Sequence, residues 1–543
     1  MKKAFTVLLL LGFFFPAIIF GGTTGKLTGK VTDKKTGEGL PFVNVVLEGT
    51  SIGAQTDLDG KYTILNIQPG KYNVKYQYVG YQTLVAQNVQ ISIDLTTTQD
   101  AALVDTAVEM QAIIVQGNVS KVQKDITSSQ ARVTSDEIKN LPVAELNDIL
   151  QLQSGVTRDA GGGFHIRGGR SSEIAYWVNG ISITDAYDNS RGLDIDNSSV
   201  QELQVISGTF NAEYGQALSG IVNTVTKEGG RSFKGNIKVY SSDYASKFKD
   251  YFVGIDKINP FANYNFQGSL SGPIPGTNDK LTLFLNGRYV YDDGYLYGYR
   301  NYLTTGEKSD GSLVAMNWSK RWLGQANLSF SASSSFKFNA EILYSKENFQ
   351  DYEHFYKWNP DGSVKKFSNS YNATFTMTHT ISNKSFYTIK LSNFFKDFNE
   401  YLYDDPLDSR YVHPDSLRTV GYAFTTKGTN LHRFFRETNT LIGKIDFTSQ
   451  VTENHLVKFG IEGRKHNLKF DDYNLEPLRI NNIPVEPFVP SIPEEGTPNR
   501  TKHNSEPIEF SVYLQDKIEF NNVIINIGLR LDYFDAKGKV LVD

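Results

Sequence analysis

The chain has 543 residues, with Lys+Arg 55 against Asp+Glu 59 and no cysteine. The near balance, with no dense basic block, argues against a nucleic-acid binder. The absence of Cys excludes disulfides, thiolate metal sites, a Cys nucleophile and a lipobox anchor. Aromatics at 13% with Gly 46 suit a mainly β chain, because aromatic side chains fill pleated surfaces and glycine supplies turns.

In chain order, residues 1–22 read as a secretory signal peptide: Lys2 and Lys3, an apolar run from Ala4 to Phe20 broken by Pro16, then Gly21 and Gly22. No later stretch is apolar for long enough to form a transmembrane helix, so any membrane crossing must use strands. Residues 23–96 follow as strand-like runs, PFVNVVLEG (41–49), KYTILNI (61–67) and KYNVKYQYVGYQTLVA (71–86). Turns at Thr36-Gly37, Asp59-Gly60 and Pro69-Gly70 separate them, which is the pattern of a small antiparallel β-sandwich. Asp57-Leu58-Asp59-Gly60 reads as a turn, since a calcium loop would need acidic ligands where Gln55 and Asn66 stand.

Residues 97–130 are polar and small, a linker, and hold one apolar island, EMQAIIVQG (109–117). A short strand-forming segment in a linker suits pairing with another protein's sheet edge. Residues 131–231 read as a compact α+β domain. Thr134-Ser135-Asp136-Glu137 is a capping box, and Pro142 is expected to open a second helix that buries Leu146, Ile149 and Leu150. Strands follow at FHIRG (164–168), IAYWVNG (174–180), VQELQVISG (200–208) and GIVNTVTKEGG (220–230). The glycines of FHIRGGR lead into a strand and not into a helix, which argues against a phosphate site. Arg167 and Arg170 are therefore expected to face a wall or cap a turn, with Glu202 or Glu213 as partners if they are buried.

From residue 232 the strands lengthen to about ten residues or more, as tilted membrane-spanning strands require. In FKFNAEILYS (336–345), Phe336, Phe338, Ala340, Ile342 and Tyr344 oppose Lys337, Asn339, Glu341 and Ser345. Short turns at 450–454 and 520–522 alternate with long polar loops at 292–319, 398–437 and 467–506, the asymmetry of an outer-membrane barrel. His503-Asn504-Ser505-Glu506 has an HxxE spacing but no third ligand beside it, and neither a G-x-S-x-G elbow nor a Walker loop occurs. Neither catalysis, a metal nor a cofactor is expected.

TDLDGKYTILNIQPGKY resembles the carboxypeptidase-regulatory-like domain, an immunoglobulin-like sandwich. LNDILQLQSGV (146–156), FHIRGG (164–169), YWVNGISI (176–183) and VQELQVISGTFNAEYGQALSGIVNTVTKEGG (200–230) resemble the plug of TonB-dependent outer-membrane receptors. LSGPIPGTNDKLTLFLNGRY (270–289) and SVYLQDKIEFNNVIINIGLRLDYF (511–534) look like barrel strands of that family. YGQALSGIV (214–222) departs from the starch-utilisation class. The resemblance implies a sandwich, an α+β plug and the N-terminal part of a transmembrane antiparallel barrel over 232–543. It places the TonB box at Gln111, Ala112, Ile113, Ile114, Val115 and Gln116. It also makes Arg167, Gly168, Gly169, Arg170, Asn179, Gly180, Glu202, Tyr214 and Gly215 plug residues.

The function so implied is TonB-dependent import of a ligand across the Gram-negative outer membrane, with the plug and N-terminal domain facing the periplasm. The rival is a surface binding or adhesion protein that does not transport. The implied partners are TonB with its inner-membrane energising complex, outer-membrane lipid, an unidentified small ligand and a surface lipoprotein, with no nucleic acid. The aromatic and acidic loops suit sugars, peptides or metal chelates. About eleven strands lie between 233 and 534 against roughly twenty-two in the family's barrel, so the chain is expected to be part of a longer one.

Overall fold

The structure, a computed structural model, describes residues 23–106, 112–117, 128–159, 161–413, 424–520 and 523–538. The expected signal peptide lies outside them, as does Gln111.

Alternating apolar residues build the first unit from two sheets. One contains β1 (Gly25–Asp33), β4 (Lys61–Ile67), β7 (Thr96–Thr98) and β8 (Ala101–Leu103), with β1 pairing all three others. The other runs β3 (Gly53–Gln55), β2 (Asn44–Leu47), β5 (Gly70–Gln77), β6 (Leu84–Ile91) and β9 (Ile113–Gln116). Leu27, Val31, Val45, Leu47, Ile64, Ile67, Val74, Ala86 and Ile91 fill the space between them. The segment expected as a linker thus supplies β8 and β9, because its alternating apolar residues find open sheet edges. Asp57 accepts from the amides of Asp59 at 3.0 Å and Lys61 at 2.8 Å, which makes 57–60 a self-bonded turn.

The second unit carries the five-stranded sheet β10 (Ser129–Thr134), β15 (Val200–Ser207), β16 (Gly220–Thr226), β13 (Ile174–Val178) and β14 (Ile181–Ser182), in that spatial order. Strands β11 (Val156–Arg158) and β12 (Phe164–Ile166) form a separate hairpin. Helix α1 (Ser135–Asn140) has the expected capping box: Thr134 N donates to Glu137 Oε2 at 2.7 Å and Glu137 N to Thr134 Oγ1 at 3.4 Å. Helix α2 (Leu146–Gln151) starts four residues after Pro142, not at it. The Asp148 carboxylate accepts from the amides of Ala144 and Glu145 and so fixes the helix start at Glu145.

Beyond residue 233, eleven strands pair as one antiparallel meander from Lys234–Ser242 to Ile524–Asp535, and Arg500–Ser505 adds to His455–Asn474. Hairpins closed at 383–384, 451–454 and 520–523 share one end of this wall. The connections 293–318, 350–364 and 475–507, with residues 402–413 and 424–431, share the other. The pleat is inverted relative to a soluble sheet. In Phe336–Phe349, Glu341, Leu343 and Ser345 are buried while Ala340, Ile342 and Tyr344 are exposed. In Ser385–Tyr401, buried Lys390 and Ser392 flank exposed Leu391.

The sandwich sits against the short-turn end. Lys26 pairs with Glu519 and donates to Gln450 Oε1 at 3.1 Å, Lys61 meets Glu453 at 2.7 Å, and Leu65 packs on Phe386 and Leu456. An exposed apolar face of this kind requires lipid against it. Leu441→Arg, in the middle of His432–Gln450, is expected to cost about 2–4 kcal/mol of folding stability in bilayers. Denaturant titration in lipid vesicles measures this, and an unchanged midpoint would mean that the face is not in lipid.

Candidate functional site: the seat of the α+β domain in the strand wall

The inward face of the wall carries charges that water does not reach, and each needs a partner. The α+β domain supplies them. Glu341 accepts from Asn179 Nδ2 at 2.6 Å and Thr226 Oγ1 at 2.5 Å of that domain, and from Gln325 Nε2 of the wall itself at 2.8 Å. Asn179 and Gly180 have φ of 48° and 77°, forming the two-residue hairpin turn between β13 and β14 that such residues favour. The turn's two carbonyls project at the wall: Lys390 Nζ donates to Asn179 O at 2.7 Å and Lys444 Nζ to Gly180 O at 3.2 Å.

Two further ties lie around this tip. Asp185 is fully buried, meeting Lys396 at 3.1 Å and Arg436 at 3.4 Å and accepting from Thr438 Oγ1 at 2.8 Å. Arg436 also pairs with Asp188 at 2.8 Å and lies over the Tyr187 ring, which stacks on Phe470 at 5.5 Å. On the other flank Arg288 meets Glu145 at 2.8 Å and Asp196 at 3.4 Å, and Arg321 reaches the same Glu145 at 3.0 Å. Lys458 bridges Glu213 at 3.2 Å and Asp94 of the sandwich at 2.6 Å. Burial, then the Asp94 charge, pushes the Glu213 carboxyl up to about 7.

The residues singled out in the sequence fall in different places. Ile113, Ile114, Val115 and Gln116 form β9, with Ala112 just before it. Asn179 and Gly180 reach the wall as described. Arg167 and Arg170 do not: both are exposed, Arg167 at the head of a turn with φ 50° followed by Gly168 at 79°, its Nη2 donating to Ser129 Oγ. Arg170 N donates to Glu173 Oε2 at 3.0 Å, and a Cβ on Gly169 would strike Ser219. Their expected carboxylate partners are engaged elsewhere, because β15 turns Glu202 toward Arg132 at 3.7 Å while Glu213 meets Lys458. Tyr214 packs edge-on against Trp177 at 5.4 Å, and Gly215 leaves room for the Arg530 guanidinium.

The HxxE pair separates, His503 stacking on Phe470 and Glu506 pairing with Lys465. Sequence reasoning put Glu341 on a polar strand face without a role and missed Glu145, Asp185, Asp196, Arg288, Lys390 and Arg436. For the wall residues the one signal was a charge recurring on the polar face of alternating strands; Glu145, Asp185 and Asp196 lie at a helix start and in loops and carried none.

Residues 27–115 match the CarboxypepD_reg-like domain, 122–221 the TonB-dependent receptor plug domain and 329–542 the TonB-dependent receptor-like β-barrel. The chain is 24% identical over 280 residues to the TonB-dependent transporter Oar of Myxococcus xanthus, covering 48% of this chain and 26% of that protein. It is 25% identical over 347 residues to the TonB-dependent receptor SusC of Bacteroides thetaiotaomicron, covering 58% and 33%. The departure at 214–222 therefore does not separate the chain from SusC at the level of overall similarity. Among solved structures, the Escherichia coli outer-membrane transporter YddB superposes with a TM-score of 0.56 at 14% identity, over 75% of this chain and 56% of that one. P. aeruginosa FpvA bound to heterologous pyoverdines gives 0.52 at 12%, over 76% and 52%. The chain spans about a third or less of these two curated relatives.

Removing Asp185 strands two cations in the seat. Asp185→Ala is expected to cost about 3–5 kcal/mol of the seated domain's stability, read from its unfolding midpoint in guanidinium. A pH effect is expected in the β11–β12 hairpin, where His165 Nε2 lies 2.8 Å from Asp159 and Nδ1 lies 2.7 Å from Gly169 O. The Asp159 hydrogen bond, then that of Gly169, raises the imidazole pKa. The tie is therefore complete below the ordinary value of about 6.5 and is lost as pH rises through the higher folded one. Corrected amide exchange in the hairpin should quicken as pH rises above about 6.5 in the wild type and show no such step in His165→Ala.

Proposed function

We propose, from the premise that this chain belongs to the TonB-dependent receptors of the outer membrane and carries their regulatory-like, plug and barrel domains, that it imports a ligand with energy delivered by TonB. The observation that carries the reading is an apposition. A short segment able to pair as a strand, 112–116, is joined through residues 117–128 to a plug that polar ties hold in the wall. TonB pairs with residues 111–116 by adding a strand, in which Ile113, Ile114 and Val115 supply the core. Tension through the joining residues then draws on β10, the edge strand of the plug sheet. Ties that are individually worth about 1 kcal/mol yield one after another while the plug's own apolar core holds together.

Ligand enters from the end of the long connections, where Tyr187, Phe470, His503 and Arg436 offer aromatic and cationic surface beside the plug. The test is accumulation of radiolabelled iron chelates, sugars and peptides by cells making the receptor, with and without a protonophore. Energy-dependent accumulation of at least one is expected. Ile114→Pro, which loses a pairing N–H, should reduce it at least about tenfold while surface binding persists. Unchanged accumulation would overturn the assignment of the box, and binding without energy-dependent accumulation would favour a surface-binding protein.

A further inference from the structure

The strand that TonB must reach is already paired. β9 lies parallel to β6 in the register Leu84↔Ile113, Val85↔Ile114, Ala86↔Val115 and Gln87↔Gln116. Ile113 N donates to Thr83 O at 2.9 Å, and beyond the strand Gly117 N donates to Gln87 O at 2.6 Å. Val115 turns inward onto the sandwich core, while Ile114 is 62% exposed. The contact is close at its far end: a Cβ on Gly117 would come within 2.8 Å of both Gln87 O and Val89 Cγ2.

We propose that the sandwich is a latch: β6 holds the box strand as the fifth strand of its sheet, and TonB captures the box only after β9 leaves β6. This rests on the reading of 111–116 as the box. Two physical arguments carry it. A strand of four residues with one side chain packed into the core is a low-stability edge, the kind of element that opens locally while its host sheet stays folded. A box still clamped to β6 would also pass tension to the sandwich. That unit is tied to the barrel's short-turn end through Lys26–Glu519, Lys61–Glu453 and Asp94–Lys458, so the load would go to the wall and not to the plug. Release must come first for force to reach β10. The apparent affinity for TonB is then reduced by the fraction of time that the box is free.

The experiment measures binding of the TonB periplasmic domain to the full receptor in detergent. Two substitutions weaken the latch from outside the box. Gly117→Val crowds Gln87 and Val89, and Gln87→Pro removes an amide from the β6 edge at a residue that has no partner in β5. Each is expected to tighten binding by about threefold to tenfold. A Gln87→Cys/Gln116→Cys pair, in a chain with no other cysteine, locks the latch when oxidised. Binding should then weaken at least about tenfold and return with dithiothreitol, the reduced protein serving as its own reference. Wild-type affinity in both weakened variants together with no effect of oxidation would overturn the latch. Ile114→Pro separates the two readings: if it loses binding while the latch variants behave as wild type, the latch alone fails, and if it too binds as wild type, the box assignment fails.

Discussion

A sheet that turns its apolar side chains toward lipid must bury its polar ones on the other side, and every charge so buried has to be answered. Everything else in this molecule follows from that constraint. Glu341, Lys390, Lys444 and Lys458 stand on the inward face of the wall, where hydration is gone and an unpaired charge would cost several kcal/mol. The plug answers with short polar features: a hairpin tip at Asn179-Gly180, an acidic loop at 185–188, and Glu145 at the start of α2. None of these features belongs to the plug's own core. The core is built from Val133, Ile149, Leu150, Val178, Leu203 and Val222, and among the described residues the wall contributes only Leu343 and Phe394 to it. The joint between plug and wall is thus mainly hydrogen-bonded and ionic.

That division gives the joint its mechanical character. An apolar core gives way cooperatively, whereas separated polar ties can be exchanged for water in sequence as the cavity wets. Each also sets geometry, since a lysine aimed at a single carbonyl locates a turn more narrowly than methyl packing would. The sandwich extends the same scheme to the short-turn end, where Asp94 shares Lys458 with plug residue Glu213. Sandwich, plug and wall therefore meet at one buried lysine, and movement of any one of them changes the charge balance of the other two.

Much of this was legible in the sequence wherever the signal is local. Period-two alternation located the wall strands and their polar face, and the capping box at Thr134 located α1. Asn179-Gly180, read as the end of strand 174–180, is instead the hairpin turn between β13 and β14. Long-range pairing left no such mark. Nothing in EMQAIIVQG says that β9 will lie parallel to a strand nearly thirty residues earlier. Arginine beside glycine in FHIRGGR left a wall contact and a turn both open; the chain takes the turn at Arg167 and gives Glu202 to Arg132. Pro142 suggested a helix start that side-chain capping by Asp148 moves to Glu145. In each case a partner distant in sequence, or a competing local hydrogen bond, decided the outcome.

Force applied at residues 112–116 reaches the plug once β9 has left β6, and the plug leaves its seat before the TonB contact or the wall gives way. Single-molecule pulling on membrane-embedded receptor, with the TonB periplasmic domain as the handle, tests it most directly. The account predicts an early small extension as β9 leaves β6, then a larger one as the plug leaves its seat, with the TonB contact and the wall intact throughout. Detachment of TonB with no preceding extension would contradict it.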